Sequence, residues 1–394
     1  MTNSDRISQR VSLFTESVIR EMTRVNNLNN GINLAQGFPD FEPPRAIIDA
    51  AKEALETGYN QYAITWGSEH LREALAEKFR WYNGVDIDAN RHITVTCGGT
   101  EAMIATMLAV INPYDEVIIF EPFYENYGPD TLLSGATPVY VPLYQEGDTF
   151  KFDEDELANA FSEKTKAIII NTPHNPTGKV FSYEELKFIS ELCQEYDALA
   201  ITDEPYEHIL YDEAIHYSIA ALPGMGARTI TINSMSKTYS VTGWRVGWAI
   251  ALDENITVAI RRAHDFITVG AAAPLQEASA VGLRFPKTYY EELAKNYTVR
   301  RDTMLSILGE IGFDYVTPKG AYYVITKYPD YGYEDDAKFS FFLSSEIGVT
   351  PVPGRAFYHD SELGKAYIRF AFPKRPETFE GVKERLSKLR HNHA

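Results

Sequence analysis

Between Ile93 and Ala251 the chain repeats one pattern: a short apolar run, a turn, then a stretch with helical spacing. The runs are ITVTC from Ile93, EVIIF from Glu116, AIIIN ending at Asn171, ALAITD ending at Asp203, TITIN from Thr229 and VGWAIA from Val246. Each is too short for a buried helix and too continuously apolar for a strand with one wet face. Such strands separated by helices predict an α/β fold with a mostly parallel sheet covered on both sides. Ligands of these sheets bind where strands end. The ends here carry Gly98-Gly99-Thr100, Pro122-Phe123-Tyr124, Asn171 with Asn175, Asp203 with Tyr206, and Ser234 with Lys237.

Each of these has a plain reading and a chemical one. Lys237 sits in a small-residue loop between buried-type strands, where desolvation would push the ammonium towards the nucleophilic amine. The competing reading is a Ser/Thr turn with an exposed lysine. Ser234 and Arg245, three residues before Lys237 and eight after it, suit an anion such as phosphate. Gly99 and Thr100, before a helix, offer backbone N–H groups and a positive dipole end, or merely a turn. Asp203 closes a buried strand and needs a cation, an ion pair or a helix cap. Tyr124 offers an aromatic face or ordinary packing. A phosphate cradle, a carboxylate, an aromatic face and an enclosed lysine are together what pyridoxal phosphate requires.

Four segments occur in order: NPTG at Asn175–Gly178, DEPY at Asp203–Tyr206, SMSK followed by GWRVGW, and YIRFAF near the C-terminus. By these the chain resembles the fold-type I, class I/II pyridoxal-phosphate aminotransferases over nearly its whole length. INLAQGFPDF and Asn60–Tyr62 resemble the kynurenine/glutamine transaminase and aspartate aminotransferase-like branches. The resemblance implies Lys237 as the Schiff-base lysine and proton carrier, and Asp203 on the pyridine nitrogen. It implies Asn175 and Tyr206 on the ring's phenolic oxygen, Tyr124 stacked on the ring, and Gly99, Thr100, Ser234 and Arg245 on the phosphate. Arg369 would grip the substrate α-carboxylate with Gly37 and Asn175, and Tyr62 would reach the neighbouring subunit's phosphate in a homodimer. Residues 46–285 would form the large cofactor-binding domain; 1–45 and 286–394 would form a smaller α+β domain. The implied activity is transfer of an amino group from an L-amino acid to a 2-oxo acid by ping-pong half-reactions. Its rivals are a cysteine-conjugate β-lyase, an aspartate aminotransferase, and a regulator using the fold as a sensor; for the last, the segment before Gly31 is too short to add a DNA-binding module. Kynurenine-type enzymes carry an N-terminal tryptophan, and the first here is Trp66, which argues against kynurenine as the preferred substrate.

Charge and composition narrow the remainder. A net charge of −18 argues against nucleic acid and anionic membrane partners. The N-terminus MTNSDRISQR is polar, and no apolar run reaches the length of a membrane span. Cys97 and Cys193, far apart, predict neither disulfide framework nor zinc site, and a cytoplasmic location. Helices are expected over Ser12–Leu28, Ala46–Thr57, Glu291–Ile311 and Asp336–Ile347. Phe38, Tyr62, Tyr124 and Phe357 predict neutral, aromatic, methionine-like or glutamine-like substrates, with aspartate handled less well. For a distal acid no second arginine is assigned by its place in a motif; Arg355 in VPGRAF is only a candidate.

Overall fold

The computed structural model describes residues 7–391, with side chains to Leu389; residues 1–6 of the polar N-terminus lie outside them. A seven-stranded sheet forms its centre. Its strands are β1 (Ile93–Thr96), β2 (Glu116–Glu121), β3 (Thr137–Pro142), β4 (Thr165–Asn171), β5 (Leu199–Asp203), β6 (Thr229–Ser234) and β7 (Gly247–Ala251). Their order is β1-β7-β6-β5-β4-β2-β3. All pairings are parallel except those of β7, which runs antiparallel to both β1 and β6. Alternate residues serve opposite faces. Val117, Ile119, Ile169, Ile201, Ile230 and Ile232 pack with helices Gly99–Val110 and Glu254–Ile267. Ile118, Phe120, Ile168 and Ile170 pack with helix Tyr183–Glu195 on the other side. Both faces are dry, which is why the runs carry no charged residue in mid-strand; the alternating threonines of β1 and β6 are themselves buried.

Strand β3 was not expected from the sequence. Pro138 and Pro142 cannot donate to a ladder, and β3 is accordingly an edge strand paired only with β2. The N-terminal helix is shorter than expected, Val18–Leu28 rather than from Ser12, because Ser17 caps it by accepting the Arg20 N–H at 3.3 Å. The helix from Asp336 ends at Phe342, and a π-turn over Leu343–Ile347 closes on Gly348 in the left-handed region, φ 81°.

A second, antiparallel sheet joins Asp314–Tyr315, Tyr323–Lys327, Tyr367–Ala371 and Val352–Pro353. Helices Lys287–Glu310 and Pro376–His391 flank it. The N-terminal segment joins this lobe: Ile32–Asn33 pairs parallel with Val349–Thr350, and Leu34 is buried in its core.

Candidate active site

The carboxyl ends of β1, β2, β4, β5 and β6 open on one rim. Because β7 runs the other way, it brings its start there, with Gly247 opposite both Thr96 and Ser234. Arg245 therefore reaches the same rim as Gly98 and Ser234. The approach is close enough that a Cβ on Gly247 would overlap the Gly98 backbone, and one on Gly98 would overlap the Arg245 guanidinium. Gly98 also has φ 81°, a conformation that favours glycine.

Above the rim lies a cavity of about 460 Å³. Strand ends supply Gly99, Thr100, Tyr124, Asn175, Asp203, Tyr206, Ser234, Lys237 and Arg245, while Gly37 and Arg369 come from the other lobe. Every residue predicted for the site except Tyr62 and Phe357 thus lines one space. Tyr62 is 91% exposed and lies outside it.

Arg369 is buried completely and, among the described residues, has no carboxylate partner. Its Nη1 donates to Asn175 Oδ1 at 2.9 Å, its Nη2 donates to the Ala35 carbonyl, and its Nε has no partner. Burial pulls its pKa down. Tyr323 and Phe357 rings flank it at 4.2 and 4.9 Å. Arg245 makes one bond, Nη1 to the Thr242 carbonyl at 3.0 Å. Two cations therefore face the cavity with their anion-binding edges unused by acids.

Lys237 Nζ donates to the Gly37 carbonyl at 3.2 Å, which also accepts from Tyr322 Oη at 2.7 Å. Burial lowers the Lys237 pKa, helped by Arg245 and Arg369. Asp203 accepts a hydrogen bond on Oδ2 from Tyr127 Oη at 2.6 Å, and burial raises its pKa to about 6. Asn171 locks this corner, donating to the Asp203 carbonyl at 2.8 Å and accepting from the Asn175 N–H at 2.7 Å. Tyr206 Oη bonds Tyr323 Oη at 3.0 Å. The site combines a depressed amine, an isolated carboxylate and two unpaired guanidiniums.

The class I and II aminotransferase family matches residues 29–384. This chain belongs to that family. Across 97% of its length the aminotransferase superposes on 100% of the solved N-succinyldiaminopimelate aminotransferase of Mycobacterium tuberculosis, with 37% identity and a TM-score of 0.94. It is 37% identical to the kynurenine–oxoglutarate transaminase of Dictyostelium discoideum, over 99% of this chain and 98% of that one. It is 34% identical to the methionine aminotransferase of Escherichia coli, covering 99% and 100% respectively.

Several residues of the aminotransferase site carried no local signal. Tyr127, Tyr322 and Tyr323 are three of 25 tyrosines, and nothing in their surroundings separates them from packing residues. Ser17, Arg20 and Glu125 line the cavity and were also missed; Ser17 was legible as a helix cap, not as a cavity residue. Arg355, the expected candidate for a distal acid, is absent from the cavity. Asp336 accepts from its N–H and its Nε, each at 2.7 Å, and Asp335 lies 3.3 Å from its guanidinium. Glu204, Glu207 and His216 hold their donor atoms within 4.8 Å of one another. They are joined by Lys78, Asn83 and Asn233 into a buried network, where the Lys78 ammonium already supplies a cation.

Proposed function

We propose that this aminotransferase holds pyridoxal phosphate in the cavity and moves the amino group of L-amino acids to 2-oxo acids in ping-pong half-reactions. The residues fit the group end to end. Gly99 and Thr100 at a helix start, Ser234 and Arg245 suit the phosphate. Tyr124 suits the ring face, Asn175 and Tyr206 its phenolic oxygen, and Asp203 its nitrogen. When bound, the group acts as an electron sink that acidifies the substrate Cα–H. Lys237, with its pKa lowered by burial, is the amine that attaches the group and then carries the proton from Cα. Asp203 keeps a proton on the ring nitrogen, and Tyr127 holds Asp203 in place by its hydrogen bond. Arg369, with Asn175 and the Gly37 backbone, orients the α-carboxylate.

The observation that carries this reading is the fully buried Arg369 with its unpartnered Nε. A buried guanidinium without an acid is costly, and the α-carboxylate common to all amino acids completes it. Arg369→Lys cannot form the two parallel bonds. It should raise KM for every amino acid by a similar factor, about tenfold or more. A rise confined to some side chains would refute the assignment.

Breadth is supported by the relatives' names, which include aspartate, aromatic and methionine aminotransferases, and by apolar lining at Ile19, Phe38 and Met103. The division into 46–285 and 1–45 with 286–394 is supported by the pairing of Ile32–Asn33 with the C-terminal lobe. A homodimer is supported by strongly exposed apolar residues, including Tyr62 and Phe266. For a cytoplasmic location the support is that, among described residues, no helix is long and apolar enough to cross a membrane and both cysteines are free.

A further inference from the structure

Strand β6 reaches the cavity with Asn233 and Ser234, and both line it. Its ladder with β5 stops earlier, at the pair Asp203–Ile232, where the Glu204 N–H donates to the Ile232 carbonyl at 2.9 Å. On the β7 side the Met235 N–H goes to the Val246 carbonyl at 3.0 Å. The Ser234 N–H, on the other side, is left without a strand partner, and a buried amide must find one. It donates to Asn233 Oδ1 at 2.6 Å. A carboxamide can turn either its oxygen or its nitrogen to such an N–H, and only the oxygen accepts. Glu207 fixes the choice, because Asn233 Nδ2 donates to Glu207 Oε1 at 2.6 Å. The same oxygen accepts from Lys78 Nζ at 2.5 Å. Asn83 bridges the pair, accepting from Lys78 at 2.9 Å and donating to Glu207 Oε2 at 3.3 Å. The Lys78 and Glu207 side chains are each 4% exposed. A buried ion pair adds little net stability, since desolvation offsets its attraction.

We propose that Glu207, paired with Lys78, is a positioning residue for the phosphate end of the site. It holds the Asn233 carboxamide in the one orientation that accepts the Ser234 N–H, and so fixes Ser234 where it meets the phosphate. The inference rests on the function proposed above and adds to it residues from behind the cavity wall. Ser234 Oγ accepts the Ser236 N–H at 3.4 Å, which leaves the hydroxyl proton for an anion. With an apolar residue at position 207 the carboxamide is free to turn its NH2 towards the Ser234 N–H. Donor then faces donor, and Ser234 moves off its place. The ring end is held separately: Tyr127 bonds Asp203, Asn171 bonds the Asn175 N–H, and Tyr323 bonds Tyr206. None of these bonds involves Glu207 or Asn233, so the defect belongs to the phosphate and not to the ring.

The test measures dissociation constants on the full-length chain freed of cofactor. Equilibrium dialysis serves for pyridoxal phosphate and for pyridoxal, which lacks the phosphate; calorimetry serves for inorganic phosphate. Asn233→Ala leaves the ion pair in place. Lys78→Met with Glu207→Leu removes the acceptor without stranding a buried charge. Lys78→Met with Glu207→Gln keeps an acceptor for Asn233 Nδ2. Thermal melting checks folding. Asn233→Ala and the leucine pair should bind pyridoxal phosphate and inorganic phosphate about tenfold or more weakly, and pyridoxal within about twofold of wild type. The glutamine pair should return both phosphate affinities to within about threefold of wild type. Phosphate affinities within about twofold of wild type in Asn233→Ala overturn the proposal. So does an equal loss for pyridoxal, which marks general damage, and so do leucine and glutamine pairs that bind phosphate alike. If the leucine pair does not fold, Asn233→Ala and the glutamine pair decide. If the wild type binds pyridoxal phosphate no better than pyridoxal, the cofactor assignment falls. Loss of inorganic phosphate in Asn233→Ala then still supports the positioning role, and a wild type that binds no phosphate overturns it.

Discussion

Asp203 shows how one residue can serve chemistry at the expense of stability. Burial lifts its pKa from 3.8 to about 6. Between those values the folded protein keeps a proton that the unfolded chain has released, so stability falls as pH rises through that window. Above about pH 6 the whole cost is present, roughly 3 kcal/mol for a shift of about two units. Cofactor-free Asp203→Asn should therefore melt above the cofactor-free wild type at pH 7.5 and match it near pH 3.5. The same variant should bind pyridoxal phosphate less tightly and lose about tenfold or more in turnover, since an amide cannot hold the ring nitrogen's proton. A variant that melts below the wild type at pH 7.5 would contradict the pKa assignment, whatever its activity.

Among the elements, β7 is the one whose direction builds the site. A parallel strand there would carry Arg245 to the far edge of the sheet. Antiparallel, it delivers Arg245 and Gly247 to the ends of β1 and β6, and the contact with Gly98 leaves no room for a side chain. Gly247→Ala should force the Gly98-Gly99 turn outwards and destabilise the protein by about 1–3 kcal/mol. Because that turn starts the helix proposed to face the phosphate, pyridoxal phosphate should bind at least about tenfold more weakly. Equilibrium dialysis of the cofactor measures this directly, and a wild-type affinity would show that the turn does not hold phosphate.

For the whole molecule the open question is what covers the rim. Thr100 and Arg245 are exposed although they line the cavity. Elsewhere the chain exposes Tyr62 at 91% and Phe266 at 94%. The proposed homodimer would cover them. Sedimentation should give twice the 44.5 kDa of one chain. Tyr62→Phe, which loses only a hydroxyl from an exposed side chain, should weaken retention of pyridoxal phosphate about tenfold. A monomer, or a Tyr62→Phe variant with unchanged cofactor affinity, would mean that the sites are not shared.

At that same scale, what was legible in the sequence is what a one-dimensional pattern can carry. Dry strands announce themselves by largely apolar runs, and the polar residues closing the parallel ones mark the rim, which is how Asp203, Asn171 and, three residues past Ser234, Lys237 could be found. Edge strand β3 was hidden because its prolines imitate a loop. The reversal of β7 was hidden because its apolar run reads the same for either strand direction. Some contacts between distant residues left no trace at all: Tyr127 with Asp203, and Ser17 with Glu125. Each unites side chains whose local surroundings are ordinary. Packing alone brings them together, and only there does burial set the pKa of Asp203, strip Lys237 of its hydration and leave Arg369 without an acid. Residue types and their order determined the family and the chemistry available to the chain. The tertiary structure decided which of many equivalent tyrosines and arginines take part, because desolvation and distance belong to the folded chain and not to the order of its residues.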